Sequence, residues 1–120
     1  MLLPVERVDL SWRSLFDDQR PLLLEIFQAL DPKTCTPSWE NIFRAFEYPL
    51  SGVRVVIFGQ DPYPEPGIAD GLAFSSLPTQ RIPASLRNIF KELGDDIGTP
   101  SPVTPDLTCW SKAGVMLLNR

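Results

Sequence analysis

A run of apolar, largely β-branched residues, Val53-Arg54-Val55-Val56-Ile57-Phe58, stands between Gly52 and Gly59. Such a run has almost no polar face to offer water. It predicts a strand covered on both sides, the usual condition inside a parallel sheet. Val115-Met116-Leu117-Leu118 predicts a second strand of the same kind. Between them, Leu86, Ile89, Phe90 and Leu93 recur at the spacing of one helix face, with Ser85 as the cap and Gly98 as the close. A shorter helix is predicted from an Asp106 cap through Trp110, ended by Gly114. Strand, helices and strand in one direction make an α/β pattern with parallel strands. Two parallel strands form a poor sheet by themselves, because each needs cover and partners. The expectation is one domain over residues 1–120, the front portion of a larger α/β domain.

Ahead of the first strand, Trp12, Leu15, Phe16, Leu22, Leu23, Ile26, Phe27 and Leu30 follow helical spacing, with Pro21 opening a second helix after Asp17-Asp18. Ser38 is placed as the cap of a further short helix that buries Ile42, Phe43 and Phe46 before Pro49 stops it.

Composition removes several classes of function. Hydrophobic residues are 43% and charged residues 22% of the 120, the balance of a globular chain and not of a disordered one. No apolar run reaches the roughly 18 to 20 residues of a membrane span. Met1-Leu2-Leu3-Pro4 meets charge at once in Glu6 and Arg7, so no secretory leader and no membrane contact are expected. The sequence holds no histidine, which excludes imidazole catalysis and His-containing zinc sites from these residues. Cys35 and Cys109 lie far apart and outside any C-x-x-C pattern. They read as free thiols of a reducing cytoplasm. A net charge of −4 argues against holding nucleic acid by bulk electrostatics, although a locally basic groove is compatible with it. Proline is the outlier at 13 residues, spread between apolar segments as in rigid functional loops.

Ligands of open α/β sheets bind beyond the carboxyl ends of the strands. The first predicted strand runs into Gln60-Asp61-Pro62-Tyr63-Pro64-Glu65-Pro66-Gly67, and the second into Asn119. A carboxylate at the end of a buried strand, held by a proline-flanked loop, suits a general base or the stabilisation of developing positive charge. An asparagine amide, donor and acceptor in one plane, suits reading a base edge. On position alone both are equally ordinary turn formers.

The spelling of these segments resembles family 1 uracil-DNA glycosylases. Gly59-Gln60-Asp61-Pro62-Tyr63 is similar to the family's water-activating motif. Gly71-Leu72-Ala73-Phe74-Ser75, Ile82-Pro83-Ala84-Ser85-Leu86 and Asn88-Ile89-Phe90-Lys91-Glu92-Leu93 follow in register. Asp106-Leu107-Thr108 with Trp110, Gly114-Val115 and Leu117-Leu118-Asn119 extend the match, and Asn41-Ile42-Phe43-Arg44-Ala45-Phe46 looks like the helix before the first strand. The match spans nearly the whole chain and is weakest before Asp31.

The resemblance implies a three-layer α/β/α sandwich with a central parallel sheet, here with two of its strands. It implies a hydrolase, specifically a glycosidase of DNA repair. Uracil is released from DNA by hydrolysis of the N-glycosidic bond, with the nucleotide flipped out of the stack, as the first step of base excision repair. Asp61 matches the carboxylate that orients the water and stabilises the oxocarbenium-like sugar. Gln60 matches the floor of the base pocket, where its backbone N–H meets uracil O2. Tyr63 matches the ring set against uracil C5, which would clash with the methyl group of thymine. Phe74 matches the platform that stacks on the base. Asn119 matches the amide that pairs with uracil O4 and N3–H and rejects cytosine. Pro83, Ala84 and Ser85 match the loop that pinches the DNA backbone, with Ser85 offering N–H or hydroxyl to a phosphate at a helix N-terminus. Arg81, Arg87 and Lys91 add local positive charge or a solvated face. No metal, no cofactor and no oligomeric partner are implied; the partner is uracil-containing DNA.

Two positions depart from the family's commonest spelling. Pro64 stands where many members carry histidine, and Asp70 stands where histidine or another polar residue is usual; Asp70 receives no role. A serine-containing backbone loop, a His-Pro-Ser-Pro loop and an intercalating leucine belong to the family but not to these 120 residues. The residues expected to read uracil are thus nearly all here, and those expected to hold DNA open are not. The 120 residues alone are accordingly expected to be inactive. A different class of function, a non-catalytic module that binds a base or a protein partner, remains as the alternative. A nucleotide-binding module is disfavoured, since neither strand leads into a Gly-rich phosphate loop.

Overall fold

The computed structural model describes residues 2–120; Met1, which begins the segment read for a leader, lies outside the described residues. Among the described residues four α-helices and two strands follow one another, with short 3₁₀ turns before α1 and between α2 and β1: α1 (Arg13–Asp18), α2 (Arg20–Gln28), β1 (Val55–Gly59), α3 (Ala84–Ile97), α4 (Thr108–Lys112) and β2 (Val115–Asn119). The strands pair in parallel with Val55 beside Val115 and Gly59 beside Asn119. Parallel pairing demands a crossover, and the segment from Gln60 to Gly114 supplies it with α3 and α4.

The core lies beside β2. Ala45, Leu72, Ala73, Leu86, Phe90, Leu107, Met116 and Leu117 form one buried cluster. The predicted face of α3 is the one used: Leu86 and Phe90 are buried, and Ile89 and Leu93 pack against the cluster. Phe90 meets Trp110 of α4 edge-on, with ring centroids 6.0 Å apart. Ahead of β1, Phe16, Phe27, Phe43 and Phe46 build a second, aromatic cluster, and Trp12 Nε1–H donates to the Tyr48 carbonyl at 2.9 Å. Pro21 does open α2, where its missing N–H costs nothing, and Gly98 closes α3 in a left-handed conformation.

Four local expectations are corrected. β1 begins at Val55, two residues late, because Val53 still closes a 3₁₀ turn with Leu50. Its side chains are not covered on both faces: Val55 is 50% and Phe58 67% exposed, since β1 has a hydrogen-bonded strand on one side only and the core sits under β2. The segment from Ser38 to Phe46 is not one helix but two 3₁₀ turns, Trp39–Asn41 and Arg44–Phe46, and Ser38 Oγ accepts from the Asn41 side chain at 3.1 Å and caps no backbone N–H. Ser85 is no helix cap either. Pro83 takes the extended cap conformation, which places Ser85 inside the first turn of α3.

Asp106 caps a backbone N–H as predicted, two residues before α4 begins: its carboxylate accepts the Thr108 N–H at 2.9 Å. Cys35 and Cys109 are both free thiols. Among the described residues no helix is long and apolar enough to cross a membrane.

Candidate active site

The in-register pairing of Gly59 with Asn119 decides where the polar groups meet. Both strands end at the same level, so Gln60-Asp61 and Asn119 emerge side by side. Glycine at position 59 is a steric requirement here. A Cβ built on it would lie 2.3 Å from Asn119 Oδ1 and 3.0 Å from Ala73 Cβ. Asn119 Oδ1 is itself buried and has no hydrogen-bond partner. A buried carbonyl oxygen without a donor is costly and marks a place where a ligand N–H would be favourable.

The second wall is the loop between Ala69 and Ser76, which are bridged to each other in antiparallel fashion. Gly71 adopts φ +99°, and any side chain there would meet the Asn41 carbonyl oxygen at 2.2 Å from its Cβ. Phe74 is the one non-glycine residue among those described with positive φ, at +66°. An L-residue in this region is strained by roughly 1–2 kcal/mol. The surroundings hold it there. Tyr63 Oη–H donates to the Phe74 carbonyl at 2.7 Å, and the Ala73 N–H donates to the Leu117 carbonyl of β2 at 3.1 Å.

Tyr63 therefore locks the two loops together as well as facing the cleft. Its hydroxyl lies 3.2 Å from Ser85 Oγ, so the serine hydroxyl, inside the first turn of α3, is turned toward the cleft wall. Burial pushes the Tyr63 phenol above its ordinary value; the Ser85 bond opposes that shift and the Asp70 charge reinforces it. The phenol is thus a neutral hydroxyl at physiological pH.

Gln60, Asp61, Tyr63, Phe74, Ser85 and Asn119 line one open cleft of about 480 Å³, within the size range of small-ligand sites. Asp61 and Gln60 are exposed at its rim, whereas Tyr63, Phe74 and Asn119 are half-buried. Pro83 and Ala84 lie outside this cleft. With Gln80, Arg81 and Ile82 they line a neighbouring one of about 490 Å³, joined to the first through Tyr63 and Pro64. Lys91 serves neither, being paired with Asp95 at 3.0 Å on the exposed face of α3.

One group the sequence reading left without a role stands behind this wall. Asp70 is buried and paired with Arg44 at 3.0 Å. The partner lies 26 residues earlier in the chain, so nothing local in the sequence announces the pair. The usable signal is the chemistry of Asp70 itself, an acid in a loop of small and apolar residues, which must find a cation if buried.

A parallel α/β chain with a carboxylate, an unpartnered amide oxygen and two aromatic rings around a cleft at the strand ends is built to take a small planar polar ligand. No family model matches the chain. It is 48% identical over 121 residues to the uracil-DNA glycosylase of Mycolicibacterium vanbaalenii, covering 96% of this chain and 54% of that protein. It is 51% identical over 94 residues to that of Thermobifida fusca, covering 78% of this chain and 41% of the relative. The fold superposes on mimivirus uracil-DNA glycosylase with a TM-score of 0.83 at 25% identity, over 98% of this chain and 48% of that one. The chain belongs to the uracil-DNA glycosylase family and spans about half the length of the relatives it matches.

Proposed function

We propose that this chain is the base-reading half of an enzyme that hydrolyses the N-glycosidic bond of uracil in DNA. The observation that carries the reading is the convergence of Gln60, Asp61, Tyr63, Phe74 and Asn119 on one cleft at the ends of two parallel strands. Asp61, exposed at the rim, is a carboxylate with water access. It orients the attacking water and balances positive charge as the sugar becomes oxocarbenium-like. The N-glycosidic bond breaks with its electron pair on uracil, the water oxygen bonds to the sugar carbon in its place, and the proton that the water sheds balances the one the departing uracil anion takes up, giving a sugar hydroxyl and neutral uracil.

The remaining roles follow from what each group can donate, accept or exclude. Asn119 Oδ1 lacks a donor, and uracil N3–H is one; the amide N–H₂ then meets O4. Cytosine presents the reverse pattern. The Gln60 backbone N–H serves O2, the Phe74 ring stacks on the base, and the fixed Tyr63 ring bars the methyl group of thymine. Pro83, Ala84 and Ser85, at the entrance of α3 beside Arg81, hold the DNA backbone. Neither a metal nor an organic cofactor enters this chemistry, and the enzyme acts as a monomer in the cytoplasm.

The test is Asp61→Asn in a chain completed with the other half of the Mycolicibacterium vanbaalenii relative. Single-turnover uracil release falls by roughly 10²–10³, the usual cost of an electrostatic transition-state contact, while DNA affinity holds. Near-normal cleavage by the variant removes Asp61 from this role. A second reading, a module that binds a base without turnover, rests on Gln60, Tyr63, Phe74 and Asn119 meeting in one cleft within these 120 residues. It would be favoured by base binding in a completed chain that releases no uracil.

A further inference from the structure

The buried acid behind the cleft has a geometry that a merely stabilising ion pair does not need. Asp70 Oδ1 accepts the Leu72 N–H at 3.1 Å, and Oδ2 accepts the Ser75 hydroxyl at 2.6 Å. These two residues bracket Ala73 and Phe74, so one carboxylate grips the chain on both sides of the left-handed phenylalanine. The grip is anchored from outside the loop. Arg44 reaches Asp70 Oδ2 at 3.0 Å, the Asp70 carbonyl at 3.1 Å and Thr108 Oγ1 at 2.6 Å. Ser75 Oγ also accepts the Leu107 N–H at 2.9 Å, which ties the loop to the start of α4.

We propose that Asp70, anchored by Arg44, is the positioning residue of the base platform: it holds Phe74 in the left-handed conformation that puts its ring on the cleft wall. The inference rests on the reading of the cleft as a uracil pocket. A platform already in place requires no ordering when the base arrives, and affinity lost to loop ordering is thereby avoided. A neutral amide at position 70 cannot substitute. It has one acceptor oxygen where the site uses two, and its NH₂ would face either the Leu72 N–H, in the place of Oδ1, or both the guanidinium and the Ser75 hydroxyl proton, in the place of Oδ2.

The experiment uses the completed chain, with Asp70→Asn and Ser75→Ala as separate variants. Ser75→Ala keeps the ion pair and cuts the grip after Phe74, together with the bond to the Leu107 N–H, so it remains informative where loss of the buried charge unfolds the protein. Crystal structures read the Phe74 φ angle, and binding is measured to matched single-stranded DNAs with and without one uracil. Both variants are expected to move Phe74 out of the left-handed region and to cut the preference for uracil-containing DNA about tenfold, a part of what stacking supplies. Affinity for undamaged DNA stays as in the parent. A Phe74 angle still near +66° together with an unchanged uracil preference overturns the proposal and leaves Asp70 a fold-stabilising acid. A parent with no preference for uracil refutes instead the reading of the cleft, and the φ measurement still tests the grip.

Discussion

Replacing Gly59 by alanine adds one methyl group at the place where the two strands deliver their polar ends. Gly59 does not have a positive φ, so alanine suits its backbone, and the whole effect is steric. The new Cβ would lie 2.3 Å from Asn119 Oδ1, closer than real contacts allow, and 3.0 Å from Ala73 Cβ, tighter than nearly all of them. Ala73 cannot yield, because it is fully buried and its N–H is bonded to β2. Asn119 must therefore rotate, or the ends of the strands must part. Overpacking of this kind costs roughly 1–3 kcal/mol, or about 2–12 °C in melting temperature for a chain of the relatives' size. The loss in recognition is of similar size. A bidentate amide–base contact is worth about 1–3 kcal/mol of discrimination, hence roughly 5- to 150-fold less preference for uracil over cytosine. The assay compares excision of uracil and cytosine by the completed chain and its Gly59→Ala variant, with a melting curve for each. Unchanged discrimination, with Asn119 in place in a crystal structure of the variant, would refute the argument.

Other outcomes are open to direct measurement. In the completed chain, Tyr63→Ala opens space beside C5 and admits thymine, while Asn119→Asp shifts preference toward cytosine; both are read by excision assays on single-base substrates, and two variants with parental specificity would dismiss the assignments. Alkaline pH should destabilise the fold through Tyr63 and Tyr48, whose phenols are held above the ordinary value of 10.0 chiefly by burial. The folded state keeps these protons longer than the unfolded one, so their contribution is full below pH 10 and is lost as pH rises through the folded values. Urea midpoints across that range should fall less steeply for Tyr63→Phe than for the parent. The 120 residues alone should show fast amide exchange in β1, where side chains are a third to two-thirds exposed, and no multiple-turnover uracil release from single-stranded DNA; slow exchange in both strands together with turnover contradicts this.

Periodicity and spelling were sufficient for much of this molecule. The parallel strands, the buried face of α3, the Pro21 start and the Gly98 stop all follow from properties that a residue carries with it: side-chain branching, a missing N–H, a tolerated φ. The candidate site residues were legible for a related reason, since they follow directly on the strand ends and are spelled as in the resembling family. Tertiary structure decided what depends on residues distant in the chain. Ser85 looks like a cap by itself, and its hydroxyl turns instead to Tyr63, 22 positions away. The apolar run at Val55–Phe58 reads as covered, but cover is a property of what packs on a strand, and here it is sparse. The need for glycine at 59 exists only because Asn119 lies beside it in register. The function of Asp70 was settled in the same way, since a carboxylate in a loop becomes a buried clamp only when Arg44 comes to meet it.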